Sequence, residues 1–401
     1  MSAAGCMRTM RVGLNMLFLI PGWVGGTERY ATALLRALAR LDSDAEFHVF
    51  LSAEAAALDL PRQPNVHRVV CGASAKRRPV RYLWEQLILP LQLARRRIDV
   101  VHSLGYVGPL ASRCRRVVTI CDANYVTLRD YTSAVKRYVV PFFVRQSARR
   151  ADHVLTLSHS AAAEILADTG IDSRRITVTH LAGREADAPG TEVAWPTLAE
   201  RHSLRKPYIL AFGGLNPHKN MPGLLDAFSR LLGAVPHSLV LVGRVANQAA
   251  LERKCLEAGL GERVSLTGYV PDADLAPLLR NADLFVFPTL YEGFGLPVLE
   301  AQELGIPVAC SRAGSLPEVA GESACFFDPL RADEMAVAIS RCLTDGALRK
   351  ELVAKGKANA QRFTWADTAA RTLAVYRKVL APPEDRPTAG GSSAPSGLGL
   401  D

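Results

Sequence analysis

The sequence predicts an α/β protein made of two doubly wound parallel-sheet domains, and three observations carry that expectation. Short β-branched runs alternate with helical patterns along the chain, the signature of parallel sheets built from βαβ units. The alternation breaks once, over residues 183–206 ("GREADAPGTEVAWPTLAERHSLRK"), where two prolines and two glycines interrupt it, and then resumes. At 401 residues with 49% hydrophobic and 22% charged content, the chain is long enough to bury two separate cores.

The first domain, residues 1–182, is expected to hold strands at 11–18, 47–52, 66–70, 98–104, 115–121, 153–158 and 176–181. Its start is ambiguous, because Arg8 and Arg11 precede an apolar run from Val12 to Val24 that imitates a signal peptide. Asn15 and Pro21 interrupt the run, no small-x-small cleavage site follows, and Gly25-Gly26 leads directly into a helical pattern. The run therefore reads as a strand, and the expected location is cytoplasmic. No stretch reaches the ~18 to 20 apolar residues of a membrane-spanning helix.

Residues 183–206 read as an interdomain linker. The second domain, 207–362, is expected to place strands near 207–213, 238–242, 263–268, 284–288, 306–310 and 324–327. "FTWADTAARTLAVYRKVL" (363–380) has apolar residues at helical spacing and is expected to pack back on the first domain. The Pro/Gly/Ser-rich tail from Ala381 is expected to be disordered. Two such domains form a cleft at the carboxyl ends of their strands, where parallel sheets bind ligands.

Eight cysteines (Cys6, Cys71, Cys114, Cys121, Cys255, Cys310, Cys325, Cys342) are scattered with no C-x-x-C pair, which favours reduced thiols over a disulfide framework or a zinc site. Charge is less even. Residues 1–190 hold 26 Lys and Arg against 16 Asp and Glu, the remainder 22 against 23, so the basic excess of the +9 chain lies wholly in the first half. It concentrates in Lys76-Arg77-Arg78, Arg95-Arg96-Arg97, Arg113 with Arg115-Arg116, Lys136-Arg137 and Arg149-Arg150. Each cluster reads either as a solvated helix end or as part of a positive face drawn to an anionic membrane or a lipid diphosphate. Nucleic acid is disfavoured, since no aromatics interleave with the clusters and no recognition motif accompanies them.

The densest chemical signal is "LFVFPTLYEGFGLPVLEAQELGIPVACS", 284–311. A buried strand ends at Pro288, a loop delivers Glu292 and a Gly293-Phe294-Gly295 turn, and a helix starts near Leu296 with Glu300 in its first turns. Glycines at a strand-to-helix junction let backbone N–H groups approach an anion, and the helix dipole favours a phosphate there. The two glutamates are placed to accept hydrogen bonds from sugar and ribose hydroxyls. On spacing alone, an ordinary loop glutamate and a solvent-facing helix glutamate are an equal alternative.

Glu-Gly-Phe-Gly-Leu-Pro-Val-Leu-Glu at 292–300 matches the Glu-x7-Glu motif of the retaining glycosyltransferases of family 4, enzymes of the GT-B fold with two Rossmann-like domains. The resemblance extends in order through "NMLFLIPGWVGGTERYATALLRAL", "ADHVLTLSHSAAAEI", "ILAFGGLNPHKNMPGLLDAF" and "SLPEVAGESACFFDP", and covers roughly residues 11 to 380. It implies a nucleotide-diphosphate sugar as donor, and a catalytic set of Lys219, Glu292 and Asp122. Glu300 would hold the ribose, and Glu292 would lie beside the donor sugar. Gly293, Phe294, Gly295 and Leu296 would face the diphosphate with Lys219, next to Gly213 and Gly214. Gly25 and Gly26 would approach the same diphosphate from the first domain.

The resemblance further implies a saccharide or polyprenyl-diphosphate-linked acceptor, and neither a cofactor nor a metal. Asp272-Ala273-Asp274 and Asp42-Ser43-Asp44 spell the D-x-D of a different transferase fold, but both sit in turns, where aspartates cap helices. His102, His159 and His180 read as structural, with His102 a candidate to line the cleft. An epimerase of the same fold and a non-catalytic scaffold are the alternatives.

Two departures stand out. Gly214 occupies a place where many family members carry arginine, with His218 beside the lysine. Family members also commonly read Thr-Ile-His-Asp where this chain has Thr119-Ile120-Cys121-Asp122. Cys121 is then a small core residue, a thiolate nucleophile, or a substitution that admits a donor sugar lacking a 6-hydroxyl; the first and third are favoured.

Overall fold

Seven strands, β1 (Met10–Met16), β2 (Ala45–Leu51), β3 (Val66–Val70), β4 (Val100–Ser103), β5 (Arg115–Thr119), β6 (His153–Thr156) and β7 (Ile176–Val178), form one sheet in the order β3-β2-β1-β4-β5-β6-β7. Six more, β8 (Tyr208–Phe212), β9 (Ser238–Val242), β10 (Val264–Gly268), β11 (Leu284–Phe287), β12 (Val308–Ser311) and β13 (Cys325–Phe327), form a second in the order β10-β9-β8-β11-β12-β13. The computed structural model describes residues 9–23, 25–41, 44–127, 134–183, 193–214, 216–245 and 247–382. The named strands pair in parallel, and each sheet reverses its winding beside its first strand, at β1/β4 and β8/β11. These are the two doubly wound domains expected from the sequence, and the reversal points are where such sheets bind ligands.

Local causes are plain. Every residue of β1 from Val12 to Met16 is buried, as a central strand covered on both faces requires. The helix Gly26–Leu41 buries Tyr30, Ala31, Leu34, Leu35 and Leu38, one apolar stripe at helical spacing against that sheet. Strand β5 ends sooner than the β-branched run implied. Its ladder closes with Ile120 N–H to Leu155 O at 2.9 Å, so Cys121 and Asp122 stand just beyond it, in the loop.

The segment read as a linker is only partly irregular. Residues 184–192 lie outside the described residues, but Trp195–His202 is a helix with Pro196 in its first turn, where a missing N–H costs nothing. Leu198 is buried, and Trp195 stacks on Tyr208 with ring centroids 5.5 Å apart, so the helix belongs to the second domain. Proline was read as a breaker here, whereas its position makes it an initiator.

The chain then returns. Helix Trp365–Leu380 packs along Gly26–Leu41, with Tyr376 fully buried between the two and the sheet. Trp365 Nε1 donates to Gly183 O at 2.9 Å and Thr368 Oγ1 to His180 O at 2.6 Å. Beneath it, His102 is 0% exposed, its Nδ1 2.6 Å from Tyr376 OH and its Nε2 2.7 Å from Thr119 Oγ1, which meets Tyr30 OH at 2.9 Å. His102 therefore does not line the cleft. The closing helix seals it in, and burial pushes its imidazole down to about 3, so it stays neutral. Most of the tail expected to be disordered, 383–401, lies outside the described residues, as do Asp42 and Ser43 of the first D-x-D. Among the described residues, no helix is long and apolar enough to cross a membrane.

Candidate active site

After β8, Gly213 closes its N–H on Val242 O at 2.8 Å, and a single 3-10 turn, Pro217–Lys219, carries the lysine to the strand ends. Lys219 Nζ donates to Glu292 Oε1 at 2.6 Å and sits 4.9 Å from the centre of the Phe287 ring. Thr289 Oγ1 adds a 3.2 Å bond to the same carboxylate oxygen. Gly214 has a physical role in this arrangement. A Cβ placed there would lie 2.7 Å from Lys219 Cγ, so a larger residue would push the lysine stem off its seat. His218 is buried and fastens the loop, its carbonyl accepting from Leu290 N at 2.7 Å and Thr289 Oγ1 at 3.1 Å. Burial and then the Lys219 charge push its imidazole down, which keeps it a poor partner for phosphate.

The loop after β11 is pressed against the first domain. A Cβ at Gly293 would come within 2.5 Å of Asp122 Cβ and 2.7 Å of Cys121 O, and Ser158 Oγ donates to Gly293 O at 2.8 Å. Gly295 has φ +100°, the left-handed conformation glycine adopts without strain, and opens helix Leu296–Glu303. Among the described residues, none accepts from the N–H of Phe294 or Gly295. These donors and the positive end of the helix dipole suit an anion. Leu296 is buried in a cluster that includes residues of β1 and β5, which anchors the helix start across the interface. Gly293→Ala should therefore weaken the fold by about 1–3 kcal/mol, the usual cost of overpacking, in denaturant midpoints.

Glu300 is 3% exposed and forms an ion pair with Arg29 of the first helix. The glycine loop that precedes Arg29 is shaped by Gly22 N–H donating to Glu28 Oε2 at 3.0 Å and by the positive φ of Gly25, +63°. A Cβ at Gly25 or Gly26 would meet nothing within 4 Å, so both face open space rather than a packed wall.

Asp122 is buried opposite Glu292. Tyr106 OH donates to its Oδ1 at 2.9 Å, and Asn124 donates from its N–H at 3.1 Å and from Nδ2 to Oδ2 at 2.6 Å. Burial pushes its carboxyl up to about 6, the Glu292 charge adding to the rise while the Tyr106 and Asn124 hydrogen bonds oppose it. The folded state then binds a proton that the unfolded chain has released, so folding stability falls as pH rises from about 4 to about 6. Asp122→Asn should flatten that slope, gaining up to about 3 kcal/mol relative to the parent by pH 7, measured by urea unfolding at several pH values. Cys121 is 5% exposed, and burial pushes its thiol far up, with Asp122 contributing. It is a buried thiol packed near Phe294 and Leu296, not a thiolate.

Asp274 is tied by Arg201 at 2.7 Å and His202 at 3.0 Å, joining its helix to the Trp195–His202 helix. Of the basic clusters, Arg115 is committed to Asp152 at 2.9 Å, Arg116 to Leu110 O at 2.6 Å and Arg149 to Thr169 O at 2.9 Å, so these serve the fold rather than an open face. Sequence reasoning missed Arg29, Tyr106, Ser158 and Tyr291, whose hydroxyl accepts from Ala123 N at 3.0 Å across the interface. None carries a spacing signal; each is defined by its neighbour in the other domain or the adjoining loop.

Residues 24–182 match the model of Glycosyltransferase Family 4 and residues 199–359 that of Glycosyl transferases group 1. The O-antigen chain mannosyltransferase B of Escherichia coli is 32% identical over 267 residues, 66% of this chain and 70% of that protein. The chain belongs to glycosyltransferase family 4. The transferase is also 32% identical over 246 residues to the serotype-specific mannosyltransferase WbdA of Escherichia coli, but covers only 29% of its length. Among solved structures it resembles Anabaena HepE in complex with UDP and glucose, with a TM-score of 0.69 and 19% identity, covering 92% of this chain and 99% of that one. The likeness shows the GT-B fold. In the transferase the two matched regions meet where Gly293 presses on Cys121 and Asp122 and where Glu300 pairs with Arg29; Gly25 and Gly26 also belong to the first region, and Gly213, Gly214 and Lys219 to the second.

Proposed function

We propose that the transferase moves a hexose or 6-deoxyhexose from a nucleotide-diphosphate donor to a saccharide hydroxyl with retention and without a metal, in the synthesis of a bacterial surface polysaccharide. The observation that carries this reading is the convergence of Lys219, the glycine-opened start of helix Leu296–Glu303 and the buried Glu300 on one strand-end cleft. Lys219 Nζ supplies the cation that takes up charge on the departing diphosphate, and the Phe294 and Gly295 N–H groups supply donors. Glu300 accepts from the ribose once the donor displaces Arg29. In a same-face reaction the departing phosphate oxygen deprotonates the acceptor, so no protein nucleophile is needed, and the protonated Cys121 is not asked to be one. The mannosyltransferase B and HepE resemblances support the pathway and the donor class.

The acceptor side is assigned to the first domain. Leu83, Leu87, Leu91, Tyr138 and Phe142 are exposed on helices that also carry Arg78, Arg95 and Arg137, an apolar and basic combination suited to a lipid-linked acceptor at an anionic membrane.

Incubating the purified chain with UDP-, GDP- and dTDP-sugars and a polyprenyl-diphosphate saccharide, and assigning the new anomeric configuration by NMR, tests the reading. Product with the donor's configuration is expected. An inverted product removes retention, and donor epimerised without acceptor makes the protein an epimerase. Glu300→Ala should raise the donor KM about tenfold to a hundredfold, the loss of charge-assisted hydrogen bonds worth about 1.5–3 kcal/mol, with a smaller change in kcat.

A further inference from the structure

We propose that His159, His180 and Glu318 form a binding site for a divalent transition-metal ion of the Zn2+ class, one that joins the two domains and is separate from the transfer chemistry. One ligand atom from each residue lies within 4.8 Å of the others. The three come from different elements. His159 opens helix His159–Thr169 after β6, His180 lies two residues beyond β7, and Glu318 belongs to helix Leu316–Ala320 of the second domain.

The cluster is organised before any ion arrives. Glu318 accepts from His159 N at 2.9 Å and Ser160 N at 3.3 Å through Oε2, and from His180 Nε2 at 2.7 Å through Oε1. His180 is held in place by Thr368 Oγ1 on its carbonyl and by the Phe294 and Phe363 rings, 6.2 and 5.6 Å from its own. The His159 ring meets the His180 ring at 5.8 Å and is exposed, which gives an ion its route of entry. Two imidazoles and one carboxylate are the donor set of zinc, cobalt and nickel rather than of magnesium or calcium. Tetrahedral ligands about 2.1 Å from zinc stand about 3.4 Å apart, so a small rotation of the exposed His159 ring completes the set, with water as fourth ligand. Oε1 then exchanges the His180 hydrogen bond for the ion, while Oε2 keeps the helix N–H groups. An ion there staples the first domain to the loop that holds Glu292, because Ser315 Oγ donates to Glu292 O at 3.0 Å and to Phe294 O at 2.8 Å.

A second three-residue cluster, Glu46, His48 and His67, provides the control, since its carboxylate is already bound to Arg11 at 3.2 Å. The untagged, metal-free full chain should take up one equivalent of Zn2+ in competition with a chromogenic chelator. Co2+ in its place should show the visible bands of a nitrogen-ligated tetrahedral ion. His159→Ala, which removes only an exposed ring, should weaken Zn2+ at least tenfold and abolish those bands, and Glu318→Gln should do the same, while His67→Ala leaves both unchanged. Equal Zn2+ affinity in the parent and His159→Ala, or a loss in His67→Ala instead, overturns the proposal. The readout is metal binding alone, so its outcome is independent of the donor and acceptor assigned above.

Discussion

Replacing Lys219 by alanine should lower kcat about 100- to 1000-fold at saturating donor, about 3–4 kcal/mol of lost transition-state stabilisation. Two effects add. The cation beside the departing diphosphate is gone, and Glu292, whose Oε1 it held at 2.6 Å, is left as an anion facing another anion. A Lys219→Ala/Glu292→Gln double variant separates them: it should recover part of the loss if the repulsion matters. A single-variant loss of less than tenfold would remove Lys219 from the chemistry. Because a Cβ at position 214 would lie 2.7 Å from Lys219 Cγ, Gly214→Arg should lose activity rather than restore a missing charge.

Tyr376→Ala should destabilise the protein by about 3–5 kcal/mol, the range for truncating a large buried side chain. Its ring is fully buried between the closing helix, the first helix and the sheet, and its hydroxyl is 2.6 Å from His102 Nδ1. Tyr376→Phe keeps the ring and breaks only that bond, leaving a buried imidazole nitrogen unpaired for about 1–3 kcal/mol. Urea unfolding followed by tryptophan fluorescence, with Trp365 on the same helix as a local reporter, reads both. Equal losses in the two variants would show that the hydrogen bond, not the packing, carries the site.

Periodicity made both sheets legible, because a parallel sheet buried on both faces leaves short apolar runs at regular intervals, as in β9 and β11. The strand-to-helix segment at 288–300 was legible for a different reason: its glycines and its two glutamates resemble the Glu-x7-Glu motif, whereas on spacing alone an ordinary loop glutamate and helix glutamate fitted equally well. What escaped was whatever depends on two distant segments meeting. Arg29 pairs with Glu300 across 271 positions of sequence, and Tyr106 donates to Asp122 from the adjoining loop; neither has a period or a cap to announce it. His102 was read as structural and is so; only the alternative that it lines the cleft falls, since its cover arrives from residue 376. The helix Trp195–His202 was hidden by Pro196, which breaks a helix from the inside and starts one from its first turn.

The return of the closing helix has a mechanical corollary. The chain crosses between domains twice, once on the way to Trp195 and again at Phe363–Trp365, and Trp365 is moored to Gly183. A body attached at one point swivels freely, but one attached at two neighbouring points turns only about the line that joins them. Opening and closing of this cleft should thus follow a single rotational path rather than a free swivel.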